Sequence, residues 1–531
     1  MTGIVKPEEQ SIPSAWIWAS IGSITQEIEK VKPKDEPDQE FIYLDISSID
    51  NEQNIVTSPK KYLGAEAPSR ARQKIKTGDV LFSTVRTYLR NIARVPEQFN
   101  EQIASTGFSI LRSKDGVDGR YLFYYTLTDK FIVCLSEIQR GTSYPAVRDS
   151  DVREQKIPIA PTNEQIRLVD EIEMQFTRLD VAVANLKRVQ ANLERYKASV
   201  LKAACEGRLA PQDPDDEPAA VLLERILAER RRKWEEQEWT KLIDKAKKKA
   251  AQAKRRAEKR PSRISDLEAA EWQELTEEDY GKYLPKGDKW KGKYKEPEPV
   301  DAAALPELPE GWVWATIEPI SHFVTDGDHN PPKRVSDGIP HLTAKHVTNR
   351  ILSLKDCTFI TEKDFSRVRK RYDPRPGDVI ITCVGTLGRT AIVPEEFIFS
   401  ADRNLAIARM LERGVLPEFL QIFLNSPAAQ RELRKGSGST AQPHLYLKEI
   451  RKFPVTVAPR QEQSRIVNEV ENRFTIIDVI EAQIKDEIVR AERLRQSILR
   501  QAFNGRLVPQ DPKDEPAIAL LSRIRDGNKG A

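Results

Sequence analysis

Two stretches of this chain carry the same long hydrophobic rhythm. From Thr162 onward, Val169, Ile172, Phe176, Leu179, Val183, Leu186, Leu193 and Val200 follow a 3,4 spacing, with Gln190 and Lys197 in the two slots that lack an apolar residue. A heptad seam sustained to Ala204 predicts a helix of about 40 residues, roughly 60 Å long, whose stripe must lie against another long helix. Adding 298 to these numbers gives Val467, Val470, Phe474, Ile477, Ile484, Ile488, Ala491 and Ile498, with Glu481 and Arg495 as polar members. The chain thus carries its own partner helix. A large folded segment separates the two, so an antiparallel pairing is expected, although the pattern also permits a parallel one. Thr162 with Gln165 predicts a capping box, and Gly207 stands where a helix-ending glycine belongs.

Ahead of each long helix the pattern changes to that of a mixed globular segment. Alternation over Phe41–Ile46 and the run Asp79–Phe82 predict strands, Arg120–Leu127 predicts a short helix, and the prolines of Lys156–Pro161 end a strand before the long helix begins. The whole arrangement occurs twice. GRLAPQDPDDEPA (207–219) returns as GRLVPQDPKDEPA (505–517), an offset of 505 − 207 = 298, and Trp16/Trp18 return as Trp312/Trp314. Likewise Thr77–Leu81 matches Pro376–Ile380, and Val95–Phe99 matches Val393–Phe397. Between these matches the halves diverge: Ile46–Arg72 has no convincing counterpart in Thr343–Arg371. The expected domains are residues 1–160 and 304–458, each followed by a long helix and repeat tail (161–226 and 459–531), with a basic insertion and irregular linker over 227–303.

Charge changes the picture at one place. The formal net charge is only +4, yet Arg230–Arg260 holds fourteen Lys or Arg against five Asp or Glu. A solvated helix or arm fits this run, and so does a basic strip for DNA phosphates or an acidic partner surface. The four scattered cysteines form no CxxC pair, no apolar leader opens the chain, and no run approaches a membrane span, so a reducing cytoplasm is the expected home.

Few catalytic signatures are present. Asn330-Pro331-Pro332-Lys333 is similar to the (D/N/S)PP(Y/F/W) motif of amino-methyltransferases, but its fourth residue is Lys and no cofactor loop accompanies it. Gly385-Thr386-Leu387-Gly388 has the letters of a phosphate loop, for which a strand-ending turn is the commoner explanation. His322, His329, His341, His346 and His444 show no metal-ligand spacing. What remains are polar and basic loop residues suited to base edges and phosphates: Arg86, Tyr88, Arg90, Arg140, Thr142, Ser143 and Tyr144 in the first half, and Lys345, His346, Thr386, Arg389, Ser437, Ser439 and Gln442 in the second. These fourteen are the candidate DNA-binding residues. No catalytic, metal or cofactor-binding residue is expected.

The doubled WxW start, the doubled (T/P)GDV(L/I) strand, the doubled helix entry (Asn163-Glu164-Gln165; Gln461-Glu462-Gln463) and the doubled GRL(A/V)PQDP tail resemble specificity subunits of type I restriction-modification systems. The resemblance covers nearly the whole chain. It implies an α+β protein of two mixed target recognition domains separated by an antiparallel coiled coil of two long helices, with a pseudo-twofold internal repeat. Each domain would read one half of a split DNA site, with half-sites about one turn apart. The chain itself would be non-catalytic. Its partners would be double-stranded DNA, two copies of a methyltransferase subunit that carries S-adenosylmethionine and methylates adenine, and the restriction subunits of an ATP-driven nuclease. Two other functions fit the residues alone, a coiled-coil scaffold with two peptide-binding domains and an enzyme with an unrecognised site.

Overall fold

The computed structural model describes residues 12–258, 263, 272–330, 332–348, 350–436 and 444–527. They fall into two compact units, Met1–Gln190 with Ala482–Ala531, and Ala191–Glu481. The two seams form helices of 44 residues each, Thr162–Cys205 and Arg460–Phe503. Each unit takes the first part of one helix and the last part of the other, so the helices run antiparallel. In the first unit Leu168, Val169 and Ile172 share a core with Ile498, Leu499, Ala502 and Phe503. In the second, Val200, Leu201 and Ala204 share one with Ile466, Val470, Phe474 and Ile477.

Three of the four polar slots of the seam, Lys197, Glu481 and Arg495, have partners. Lys197 reaches Glu481 at 2.8 Å and Asp478 at 3.2 Å in the second unit. In the first, Arg495 pairs with Asp180 and covers the Phe176 ring at 5.0 Å. Such polar positions specify register, because a slipped pairing would leave a charge facing apolar side chains.

The capping box expected at Thr162 does not form. Thr162 Oγ1 donates instead to the Gly116 carbonyl at 3.0 Å, while Gln165 donates to Ala160 O at 2.8 Å and accepts from Asp118 N at 3.0 Å. The second helix uses Gln463 in the same way, toward Ala458 O (2.8 Å) and Leu416 N (2.8 Å). A completely buried glutamine here joins the helix entry to the globular core, a tertiary use that local sequence pattern does not encode.

Each unit has the same sheets. Strand Ile17–Ser20 pairs antiparallel with Lys156–Ile159, and Val313–Thr316 with Pro454–Val457. A four-stranded antiparallel sheet follows, built on Phe108–Ser113 and Val80–Ser83 in the first unit and on Leu405–Met410 and Val379–Thr382 in the second. A second sheet centres on Glu40–Leu44 in one unit and on Ile339–Leu342 in the other. The segments without sequence match begin with the same elements. A 3-10 turn (Ile46–Ser48; Ala344–His346) and a two-residue hairpin (Ile49–Asp50 with Ile55–Val56; Val347–Thr348 with Ile351–Leu352) occur in both. Divergence starts later, where strand Ala71–Lys74 of the first unit gives way to helix Glu362–Val368 in the second.

Three buried or partly buried polar ties occur in both units. Trp16 Nε1 donates to Glu164 and Trp312 Nε1 to Glu462, both at 2.9 Å, and burial raises each carboxyl above its usual range. Asp79 accepts two bonds from Arg112 (2.9 and 2.7 Å), and Asp378 two from Arg409 (both 2.7 Å). Arg167 pairs with Asp514 at 2.6 Å and Arg465 with Asp216 at 2.5 Å. The last tie shows where the repeat tails go. The tail that ends the first long helix docks in the second unit, where Ala219 N donates to Gly311 O at 2.8 Å; the tail that ends the second docks in the first unit, where Ala517 N donates to Ala15 O at 2.9 Å. Gly207 and Gly505 adopt φ of +66° and +65°, and a Cβ on either would run into Pro309 or Pro13. Only glycine suits both demands.

After its tail the first repeat extends into a 39-residue helix, Ala219–Ala257, against Ala517–Gly527 in the second. The linker behind it is less irregular than its composition suggests. It folds back so that Trp290 stacks on Trp239 (5.4 Å) and Trp234 (6.3 Å), with Tyr294 against Trp234 at 5.3 Å.

Candidate nucleic-acid interface

In each unit the strand at the centre of the four-stranded sheet ends in a turn that meets a second loop through a single β-bridge. The bridges are Val85 to Ala146 and Val384 to His444. What the two turns present differs.

In the first unit the turn is a 3-10 element, Thr87–Leu89, flanked by Arg86 (φ +48°) and Arg90 (φ +52°), both left-handed without being glycine. Such backbones store about 1–3 kcal/mol each and persist only where the surroundings hold them. Thr87 is buried and bonds Ser136 at 3.1 Å, and Asn51 Nδ2 holds the Leu89 carbonyl at 2.7 Å. With the backbone pinned from inside, Tyr88 (53% exposed) and Leu89 point outward. Beside them Arg140 and Ala146 exchange two backbone bonds and close a small loop that carries Thr142, Ser143 and Tyr144, all exposed. Arg86 lies over the Tyr144 ring at 5.0 Å and donates to the Ser143 carbonyl at 3.3 Å. The result is a half-buried arginine held against an exposed aromatic ring on a rigid support, with Tyr144 73% exposed.

Two of the candidates in this unit are held by the protein. Arg90 donates to Leu127 O at 2.9 Å and pairs with Asp129, which ties the turn to the neighbouring helices. Arg140 is paired with Asp151 at 2.7 Å, so its charge is largely matched within the unit.

In the second unit glycines take the left-handed positions, Gly385 (φ +78°) and Gly388 (φ +72°). The amides of Leu387, Gly388 and Arg389 bond Gly385 O, Thr382 O and Thr382 Oγ1 at 2.9–3.1 Å. Three of the N–H groups that a phosphate loop would offer are therefore used inside the turn, which leaves the side chains of Thr386 and Arg389 exposed. Lys345 is exposed and donates to Asp356 O at 2.9 Å. His346 is buried: its Nδ1 accepts the Thr343 amide at 2.8 Å, as Ser48 Oγ accepts the Asp45 amide at 3.1 Å in the first unit, and burial lowers its pKa. Ser437, Ser439 and Gln442 lie outside the described residues, as do Pro331, Lys259 and Arg260.

Further residues belong to these faces. His444 stacks on Tyr446 at 4.5 Å, and Tyr446 is 62% exposed, the counterpart of the Arg86–Tyr144 pair. The diverged helix of the second unit and the turn after it supply Arg367, Arg369 and Arg371. Arg371 pairs with Asp326 and lies 3.2 Å from His329, while Arg367 lies 3.4 Å from Asp328. The signal for them was the density of basic residues in Lys363–Tyr372, which lies inside the segment that matches nothing in the other half.

No group of His, Cys, Asp or Glu among the described residues could hold a metal ion, and no helix among them is long and apolar enough to cross a membrane. The four cysteines are unpaired.

Residues 323–490 match the family described as "Type I restriction modification DNA specificity domain". The chain is 24% identical over 402 residues to the type I restriction enzyme EcoBI specificity subunit of Escherichia coli, covering 74% of this chain and 69% of that one. It is 21% identical over 542 residues to the EcoKI specificity subunit of E. coli strain K12, covering 97% and 96%. Among solved structures, a chain of a type I R-M system complex aligns with a TM-score of 0.65 at 22% identity, over 93% of this chain and 99% of that one. The HsdS subunit from Thermoanaerobacter tengcongensis aligns with a TM-score of 0.50 at 23% identity, over 94% and 100%.

Proposed function

Because the chain belongs to the family of type I restriction-modification specificity subunits, we propose that its two units read the two halves of a split DNA site on behalf of catalytic partners. The observation that carries this reading is one scaffold with matched internal ties, built twice, that presents different exposed side chains at equivalent turns. Arg86, Tyr88, Thr142, Ser143 and Tyr144 face one half-site, and Lys345, Thr386, Arg389, His444 and Tyr446 the other, with the Arg367–Arg371 cluster beside them. Arg90, Arg140 and His346 serve as supports for these loops.

The chain does no chemistry in this reading. It positions two methyltransferase subunits, which bring S-adenosylmethionine and modify adenine, and restriction subunits join them in the cytoplasm. The long helices support two equivalent docking surfaces, since Val181 and Val479, and Tyr196 and Leu494, are exposed apolar residues each 298 apart. Identical partners would meet equivalent anchors.

Methylated-adenine mapping in the source genome tests the reading. One motif of two halves with a constant gap is expected, and exchange of residues 1–160 for those of a relative should change one half only. A change in both halves, or in neither, would overturn it.

A further inference from the structure

Among the described residues the 39-residue basic helix has no counterpart of its length in the second repeat, and reading half-sites does not call for it. Its two ends differ. Near its start, Ile226 is buried in the core of the second unit, and Arg230 donates to Ser321 O at 3.2 Å and lies 3.8 Å from Glu318. Further along, one side is covered by the folded-back linker. Ala246, Ala250 and Ala251 are buried, Lys247 lies over Tyr280 at 5.4 Å and Lys248 over Trp272 at 4.4 Å. Trp290, stacked on Trp239 and Trp234 within the two turns before Lys241, fixes the helix as well, so it is held rather than trailing in solvent.

The face away from the buried Ala246 and Ala250 carries Lys241, Lys245 and Lys249, spaced i, i+4, i+8 and all exposed. They line one face over about 12 Å. Lys241 has Glu238 at 3.4 Å; Lys245 and Lys249 have no carboxylate within ion-pair distance among the described residues. No large apolar side chain is exposed between Lys241 and Arg256. Protein interfaces are poor in lysine and need apolar anchors, whereas duplex phosphates need only point charges held in line.

We propose that this lysine stripe binds the DNA backbone outside the recognised half-site, adding affinity without sequence preference. The inference rests on the DNA reading given above. Its test uses the full chain with its methyltransferase partner on two duplexes, one trimmed to the site and one with long flanks, titrated across salt. Replacing Lys241, Lys245 and Lys249 together by Gln should flatten the salt slope by up to about 2.7 on the long duplex, at about 0.9 per phosphate. Between about 50 and 200 mM salt the wild type should then lose on the order of 40-fold more affinity than the variant.

On the trimmed duplex the two should agree, and the methylated sequence should not change. The triple Lys→Arg variant, which keeps the charge, should restore the slope. Equal slopes on the long duplex would overturn the proposal. Loss of a partner subunit from the Gln variant with the slope unchanged would also overturn it, by showing a protein partner on the stripe. A wild type that recognises no bipartite site would instead overturn the function proposed above, so the two failures are distinguishable.

Discussion

Arginine and glycine do the same backbone work in the two units. Arg86 and Arg90 hold left-handed positions around the turn of the first unit, and Gly385 and Gly388 hold them in the second. Glycine adopts that conformation freely, and arginine does so at a cost of order 1 kcal/mol. The first unit tolerates the strain because the turn is anchored by Thr87 and Asn51, and it gains an arginine held over Tyr144. At the other end of the same strand, both units carry the same Asp–Arg pair, Asp79–Arg112 and Asp378–Arg409. The comparison teaches that the buried ties set the frame, and that the outer turn is free to change what it displays.

The strongest way to break this comparison is to remove the shared tie. Asp79→Ala and Asp378→Ala should each destabilise their own unit by about 3–5 kcal/mol, because each leaves a partly buried arginine without its carboxylate. Asp378→Ala should be the worse, since Asp378 also accepts from Tyr372 Oη at 3.0 Å. Thermal unfolding followed by hydrogen exchange in each unit would measure this, and equal small losses would contradict the shared role.

A second test uses pH. All five histidines fall in the second unit. Burial lowers His322 and His346, and holds His341 at about 4. These rings stay neutral when folded but take up protons in the unfolded chain near pH 6.5. The unfolded state therefore binds more protons as pH falls, and the second unit should lose stability between about pH 6.5 and 4, by about 3 kcal/mol for His341 alone. Amide exchange should show it opening before the first unit; simultaneous opening would argue against this.

The smallest effect sharpens the comparison. Tyr144→Ala and Tyr446→Ala should each leave stability within about 0.5 kcal/mol, since both rings are exposed. Each should weaken DNA binding by on the order of 2 kcal/mol. Affinity for duplexes altered in one half-site would show whether each tyrosine serves its own half.

The large organisation was legible in the letters. The two seams, their polar slots, the glycine stops and the doubled strands all rest on periodicity and repetition, and the long helices end within a few residues of the expected places. The capping box at Thr162 was misread because Gln165 is drawn into a tertiary bond to Asp118. The match between Ile46–Ser48 and Ala344–His346 was hidden because Ser48 and His346 close the same turn onto its first amide with different chemistry. At the candidate interface, loop composition singled out these turns but could not separate Arg86, over an exposed ring, from Arg90 and Arg140, held by Asp129 and Asp151. Those ion pairs depend on distant parts of the chain.

The crossed docking of the tails sets an order of events in time. The second unit is continuous, Ala191–Glu481, and can close its core as soon as that stretch has left the ribosome. The first unit cannot: its core takes Ile498, Leu499, Phe503, Leu520 and Leu521 from the other end of the chain. Its apolar surface around Trp16, Tyr121 and Ile172 must wait, uncovered, while some 300 residues are made, and its contact order is correspondingly high. The half of the molecule that is synthesised first is thus the half that finishes folding last.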